Sequence, residues 1–217
     1  GLEGALNTLK ARYDAALIDE RIRVLAIGTR PDCIDEEKAA LIASYKDRVD
    51  VWVELGLQTA SDATAEVINR GYKTEVFDRA IEILHSHGIP VVAHMIIGLP
   101  GESEADTLAT AEHLAKKALF GVKIHSIYVM RGTALADMYA RGEYAPPSLD
   151  EYAKTAAKAL AVLPPDTVIH RLTGDCPRDM LIAPDWNADK HGIIEKIKEY
   201  MEENALKQGV CYKKQSI

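Results

Sequence analysis

The chain has 217 residues, of which 47% are hydrophobic and 27% charged. That is enough apolar content for a sizeable core, and it excludes a chain dominated by disorder. Thirty-three acidic against 26 basic residues give a net charge of -7, with no Lys/Arg block longer than a pair, which argues against coating a nucleic acid or an anionic membrane.

The longest apolar stretches, around Val91 to Leu99 and Ala159 to Leu163, fall far short of the ~18 to 20 residues that span a bilayer. Cys33, Cys176 and Cys211 are scattered without C-x-x-C spacing, so neither a disulfide framework nor a metal site is written locally. Free thiols in a reducing compartment, and hence a cytoplasmic protein with no membrane partner, are the expectation.

Strand-like and helix-like segments alternate from the start, the order expected of a parallel α/β sheet. A helix over Leu2 to Ile18 precedes a β-rich segment, Ile22 to Thr29, and a helix opened by Asp35. A strand over Asp50 to Gln58 leads to Ser61, a helix N-cap, and a short helix ended by Gly71. Val76, Ala80, Ile83 and Leu84 recur at helical spacing before Gly88 and Pro90. A strand over Val91 to Gly98 is followed by a helix from Ser103 to about Ala118, with Asp106 completing an imperfect capping box. Val122 to Met130 reads as one strand.

Beyond it come a helix over Ala134 to Arg141, the Pro146-Pro147 break, and a helix from the capping box Ser148 to Glu151, stopped at Pro164-Pro165. A β-like piece, Thr167 to Leu172, precedes an irregular stretch, Gly174 to Asn187, and a last helix over Asp189 to Gln208. No Gly/Ser-rich linker divides the chain. The division is into residues 1–133, a partial barrel, and residues 134–217, a helical extension packed on it.

Because side chains alternate faces along a strand, each strand splits into two sets. Val51, Val53, Leu55 and Leu57 form a wholly apolar set, opposite Trp52, Glu54, Gly56 and Gln58. His94 and Ile96 stand opposite Ala93, Met95 and Ile97, and Lys123 and His125 opposite Ile124, Tyr128 and Met130. A sheet covered by helices on both faces would carry near-continuous apolar strands. The mixed faces instead fit a barrel or half-barrel with Arg30, Glu54, Gln58, His94, Lys123 and His125 turned towards a lumen. A buried ion-pair network, Glu54 with Lys123 or His125, is the alternative for the same residues. Turns at Gly28 to Asp32, Gln58 to Ser61, Gly98 to Glu102 and Met130 to Thr133 fall at carboxyl ends of strands, where parallel α/β folds collect ligand-binding groups.

Several segments occur in a known order: Ala26-Ile-Gly-Thr-Arg-Pro-Asp-Cys33, Trp52-Val-Glu-Leu-Gly-Leu-Gln-Thr59, His94-Met-Ile-Ile-Gly-Leu-Pro-Gly-Glu102, and Lys123-Ile-His125 through Arg131-Gly-Thr133. With Arg171-Leu-Thr-Gly-Asp-Cys-Pro-Arg178 and Leu181-Ile-Ala-Pro184, they resemble the radical S-adenosylmethionine (SAM) superfamily, and within it the YhcC-type Fe-S oxidoreductases. The resemblance implies a partial (β/α)6 TIM-like barrel that holds a [4Fe-4S] cluster on three cysteines and SAM on its fourth iron. It implies reductive cleavage of SAM to a 5'-deoxyadenosyl radical that abstracts hydrogen from a substrate, fed by an electron donor. By matching position, Gln58, Ile96, Gly98, Arg30 and Glu54 would contact SAM, and His94, Lys123, His125 and Arg171 would line the substrate cavity.

The resemblance lacks the family's cysteine run and the glycine-rich motif after it, and Cys33 stands elsewhere. The chain therefore reads as the C-terminal portion of such an enzyme, truncated at its N-terminal βα units, with no protein metal ligand and no cofactor expected on it alone. Removal of those units would leave Ile22 to Thr29 as an open edge prone to self-association. A noncatalytic α/β module binding a nucleotide or a partner protein is the alternative. A tRNA-modifying role is weakened by the acidic balance. His85 and His87 fit dipole compensation at a helix end better than zinc. Asp175, Arg178 and Asp179 fit either a substrate contact or a loop ion-pair cluster, Cys176 shows no sign of activation, and Tyr200 and Met201 read as core packing.

Overall fold

Residues 2–214 are described by a computed structural model. Among them the elements in chain order are α1 (Leu2–Ala16), β1 (Val24–Thr29), α2 (Glu36–Ala43), β2 (Asp50–Gln58), α3 (Asp62–Val67), α4 (Thr74–Ser86), β3 (Val91–Ile97) and α5 (Glu104–Ala115). There follow β4 (Gly121–Ser126), β5 (Val129–Met130), α6 (Ala134–Ala140), α7 (Leu149–Val162), β6 (Val168–Arg171), β7 (Leu181–Ala183) and α8 (Lys190–Glu203). None of the described helices is long and apolar enough to cross a membrane.

The helix starts follow side-chain chemistry. Asp35, Ser61, Thr133 and Asp189 each accept a hydrogen bond from the backbone N–H three residues on, satisfying a donor that the first turn leaves open. Ser103 with Asp106 and Ser148 with Glu151 both close complete capping boxes. The shorter aspartate reaches back to the Ser103 N–H at 2.8 Å, so the box at Ser103 is a full one.

Five strands form one sheet in the order β1-β2-β3-β4-β6, each neighbouring pair parallel. Strand order follows chain order, and crossovers between parallel strands are right-handed, so the crossover helices pack on one side of the sheet, where α2, α4, α5 and α7 share one apolar cluster with the strands. This is the layout of a partial TIM-like barrel, as expected, and not of a doubly wound sheet, whose order reverses. The helix side holds the core: Val53, Leu55, Leu57, Ala93, Met95 and Ile124 have no exposed surface and pack with Phe77, Leu84, Tyr152 and Ile193. Burying a side chain of this size contributes about 1.5 to 3 kcal/mol. Tyr200 and Met201 of α8 pack against the same cluster.

Two expectations need correction. The segment from Val122 to Met130 is not one strand: β4 stops at Ser126, and β5 pairs antiparallel with β7 in a separate two-stranded sheet. The break has a cause. The Ser126 hydroxyl donates to Asn187 Oδ1 at 2.5 Å and accepts from Gly174 N–H at 2.7 Å. The Asn187 amide donates to the Ile127 carbonyl at 2.8 Å, which draws the chain out of the ladder. The stretch from Gly174 to Asn187 is accordingly not wholly irregular, since it supplies β7. The segment after Thr133 also gives the main sheet its fifth strand, β6, which brings Arg171 into register with Lys123.

Candidate functional site

The face of the sheet away from the helices carries the polar side chains. Cross-strand register aligns Gly28 with Glu54, Gly56 with His94, His94 with Lys123, and Lys123 with Arg171. Neighbours in register lie about 5 Å apart, so three consecutive parallel strands, β2, β3 and β4, bring Glu54, His94, Lys123 and His125 onto one surface, with Arg171 from β6 beside them.

Glu54 is the hub of this surface. Its Oε2 accepts from Lys123 Nζ at 2.5 Å and pairs with His94 Nε2 at 3.0 Å, while Oε1 accepts from Trp52 Nε1 at 3.4 Å. The three principal side chains are 15%, 20% and 24% exposed for Glu54, Lys123 and His94. Burial works to raise the Glu54 carboxyl, but the hydrogen bonds from Lys123, His94 and Trp52 outweigh it and hold the group at about 2. Burial lowers His94 by more than the Glu54 carboxylate raises it. His94 is thus a neutral imidazole at pH 7, and an ionised carboxylate can only accept, so the proton sits on Nε2. The ion-pair network considered as an alternative is therefore present, with Lys123 supplying the charge and His94 in place of His125.

His125 has its ring centroid 5.1 Å from that of His94. Burial first, and then the neighbouring His94 ring and the charges of Arg171 and Lys123, bring it down to about 4. Its Nε2 is buried without a hydrogen-bond partner. At the amino end of the strands, Trp52, Phe120 and His170 meet with centroids 5.6 to 5.9 Å apart. His170 lies so close over Gly121 that an added Cβ would stand 2.4 Å from its ring. This aromatic floor went unread in the sequence, because it depends on β6 joining the sheet.

Gln58 ends β2 at φ 67°, left-handed backbone that a non-glycine residue adopts at a cost. Its amide folds back over Gly56, where a Cβ would meet Nε2 at 2.7 Å, so it reaches the same polar face. Arg70, which is 6% exposed, fixes that turn by donating to the carbonyls of Leu57 and Thr59 at 2.7 and 2.6 Å. Nothing in the sequence marks Arg70 except its place before Gly71. Glu102, read only as part of a turn, hydrogen-bonds the Thr59 hydroxyl and leaves Oε2 buried and unpartnered. Burial raises its carboxyl.

Other expected residues lie elsewhere. Arg30 pairs with Asp32 at 2.9 Å and stacks over the Tyr72 ring. Ile96 is half-buried, in register with His125. Gly98, at φ 94°, is covered by Ile127 and Pro147, 2.7 and 2.8 Å from where a Cβ would stand, and its carbonyl accepts from Tyr144 at 2.6 Å. The structure thus groups Glu54, Gln58, His94, Lys123, His125 and Arg171, and leaves Arg30 and Gly98 with partners of their own.

Several of the remaining candidates have structural partners too. His87 pairs with Glu36 at 2.8 Å, Asp175 with Lys190 at 2.9 Å, and Arg178 donates to the Ala188 carbonyl. Among the described residues no three His, Cys, Asp or Glu side chains are placed to hold a metal ion.

A partial β/α barrel with a polar face opposite its helix-packed one defines the class, and comparison with known proteins supplies the family. The family model for the Radical SAM superfamily matches residues 3–114, and that for the Radical_SAM C-terminal domain matches residues 120–203. The chain belongs to the radical SAM superfamily, whose full-length members use SAM and a [4Fe-4S] cluster.

It is 32% identical over 202 residues to Protein YhcC of Escherichia coli (strain K12), covering 93% of this chain and 65% of that protein. It is 36% identical over 206 residues to the uncharacterized protein MJ0486 of Methanocaldococcus jannaschii, covering 94% and 64%. The chain thus spans just under two thirds of the length of these relatives. Among solved structures, the archaeal Methanocaldococcus infernus Elp3 with an N-terminal deletion superposes with a TM-score of 0.77 at 25% identity, covering 90% of this chain and 46% of that one.

The two groups the family uses fit this chain differently. A cluster needs three converging thiolates, but Cys33 and Cys211 are exposed, Cys176 is half-buried, and the described residues offer no metal-ligand group. The cluster does not fit them. SAM is a polar molecule needing donors, acceptors and room. The polar face offers the Gln58 amide, the orphaned His125 nitrogen, and open space at Gly28, where nothing lies within 4 Å of an added Cβ. These groups fit it.

Proposed function

We propose that this chain forms the SAM- and substrate-facing wall of a radical SAM enzyme. When bound and reduced, the family's cofactors supply a 5'-deoxyadenosyl radical that takes hydrogen from a substrate. Gln58 holds a polar end of SAM, and half-buried Ile96 gives its base an apolar neighbour. His94 and Lys123 hold Glu54 ionised, so Glu54 keeps the wall charged and ordered and does not itself exchange protons near neutrality. His125, neutral and with its Nε2 unpartnered, is the group on this wall free to hydrogen-bond a reactant.

One observation carries this reading: polar side chains from consecutive parallel strands share a single face, opposite the apolar set that packs with the helices. Equilibrium dialysis of the full chain with labelled SAM tests it. The resemblance leads to no cofactor being expected on the chain alone; the polar groups the chain presents change that for SAM. Saturable binding that weakens about tenfold in Gln58→Ala is expected, about tenfold corresponding to about 1.4 kcal/mol, one hydrogen bond. Anaerobic treatment with iron and sulfide is expected to leave the chain without stoichiometric iron. Absence of SAM binding, or a full complement of labile iron, overturns the proposal.

A further inference from the structure

Resting on the reading just given, we infer that the substrate carries an oxyanion, a carboxylate or a phosphate, received by Arg171 beside His125 and Lys123. A guanidinium is charged at every relevant pH and presents five donors in a planar fork. Arg171 is half-buried, yet among the described residues it forms no salt bridge and no side-chain hydrogen bond. Burying a charge without a partner is costly, and the carboxylates nearby are already taken. Glu54 is committed to Lys123 and His94, and Asp175 to Lys190.

A second, independent observation points to the same spot. The Nε2 atom of His125 is buried and has no hydrogen-bond partner. It belongs to this corner: His125 follows two residues after Lys123 on β4, and Lys123 is in register with Arg171 on β6. The formal charges on the polar face are one negative, Glu54, and two positive, Lys123 and Arg171. A net positive corner on a chain of net charge -7 attracts an anion locally. A carboxylate or phosphate oxygen pair matches the guanidinium fork bidentately and leaves a lone pair for an imidazole N–H.

The probes are inorganic phosphate, acetate and SAM, applied to the full chain and to Arg171→Gln and Arg171→Lys. Side-chain nitrogen NMR is expected to show the His125 signals moving as phosphate or acetate is added. Apparent affinity should fall at least tenfold in Arg171→Gln and within about threefold in Arg171→Lys, with far-UV circular dichroism unchanged. The stronger of the two anions identifies the substrate's group as phosphate or carboxylate.

SAM affinity should stay within twofold of wild type in Arg171→Gln, which gives the guanidinium to the other reactant. Anion-induced shifts that persist undiminished in Arg171→Gln, or are confined to His191, overturn the inference. So does a loss of SAM affinity in Arg171→Gln, since the guanidinium would then hold the cofactor's carboxylate. A chain that binds anions through Arg171 but no SAM at any concentration supports the oxyanion site and overturns the preceding reading instead.

Discussion

Replacing Glu54 by glutamine removes one charge and little else, and the structure sets the size of the effect. The carboxyl is displaced from its ordinary 4.5 to about 2, which at about 1.4 kcal/mol per pH unit corresponds to about 3 kcal/mol of stability. The group is 15% exposed, so solvent screening takes only a modest share. The sign follows from a folded-state value below the unfolded one: the contribution is complete above pH 4.5 and is lost as pH falls through 2. Wild type should exceed Glu54→Gln by about 3 kcal/mol at pH 7 and by about half that at pH 3.

Urea unfolding of both proteins at the two pH values measures this, with the wild-type midpoint higher by about 1 M at pH 7. Titrations common to both proteins cancel in the difference. Adding Lys123→Met should recover a third or more of the loss, because it removes the half-buried ammonium left without its partner. A difference below about 0.5 kcal/mol at pH 7, or one that does not change with pH, would refute the argument that this pair anchors the polar face.

Two other outcomes are expected. Gly121→Ala puts a Cβ 2.4 Å from the His170 ring and 2.8 Å from the Val168 carbonyl oxygen, and since that backbone cannot yield without breaking the β4–β6 pairing, a loss of about 1 to 3 kcal/mol should appear in urea melts. The outer edge of β1 has no strand beside it among the described residues, and Ile18, Ile22 and Val24 nearby are 86%, 38% and 37% exposed. Light scattering should find self-association that rises with concentration and is abolished by Val24→Lys; a strictly monomeric wild type at high concentration would rule it out.

Much of the site was legible because strands write their two faces at alternate positions. Val51, Val53, Leu55 and Leu57 against Glu54 and Gln58, and Ala93 and Met95 against His94, separate the helix side from the polar side before any coordinates are known. Helix starts were equally readable, since Asp35, Ser61, Ser103 and Ser148 act within one turn of themselves. The reading of Val122 to Met130 as one strand went wrong for the opposite reason. The residues that end β4 are Gly174 and Asn187, about fifty and sixty positions away, and local periodicity carries no trace of them.

The same division separates what each level determined. Local sequence, through side-chain period and capping groups, determined the α/β alternation, the apolar side of the sheet and which residues could meet on the other. Only the tertiary structure decided that Glu54 gives itself to Lys123 and His94, that Arg70 pins the turn at Gln58, and that β6 sets an unpaired Arg171 next to Lys123. Pair energies between charges fall off over a few ångströms, and those distances are fixed by which strands lie side by side, a property of the folded sheet that no single segment contains.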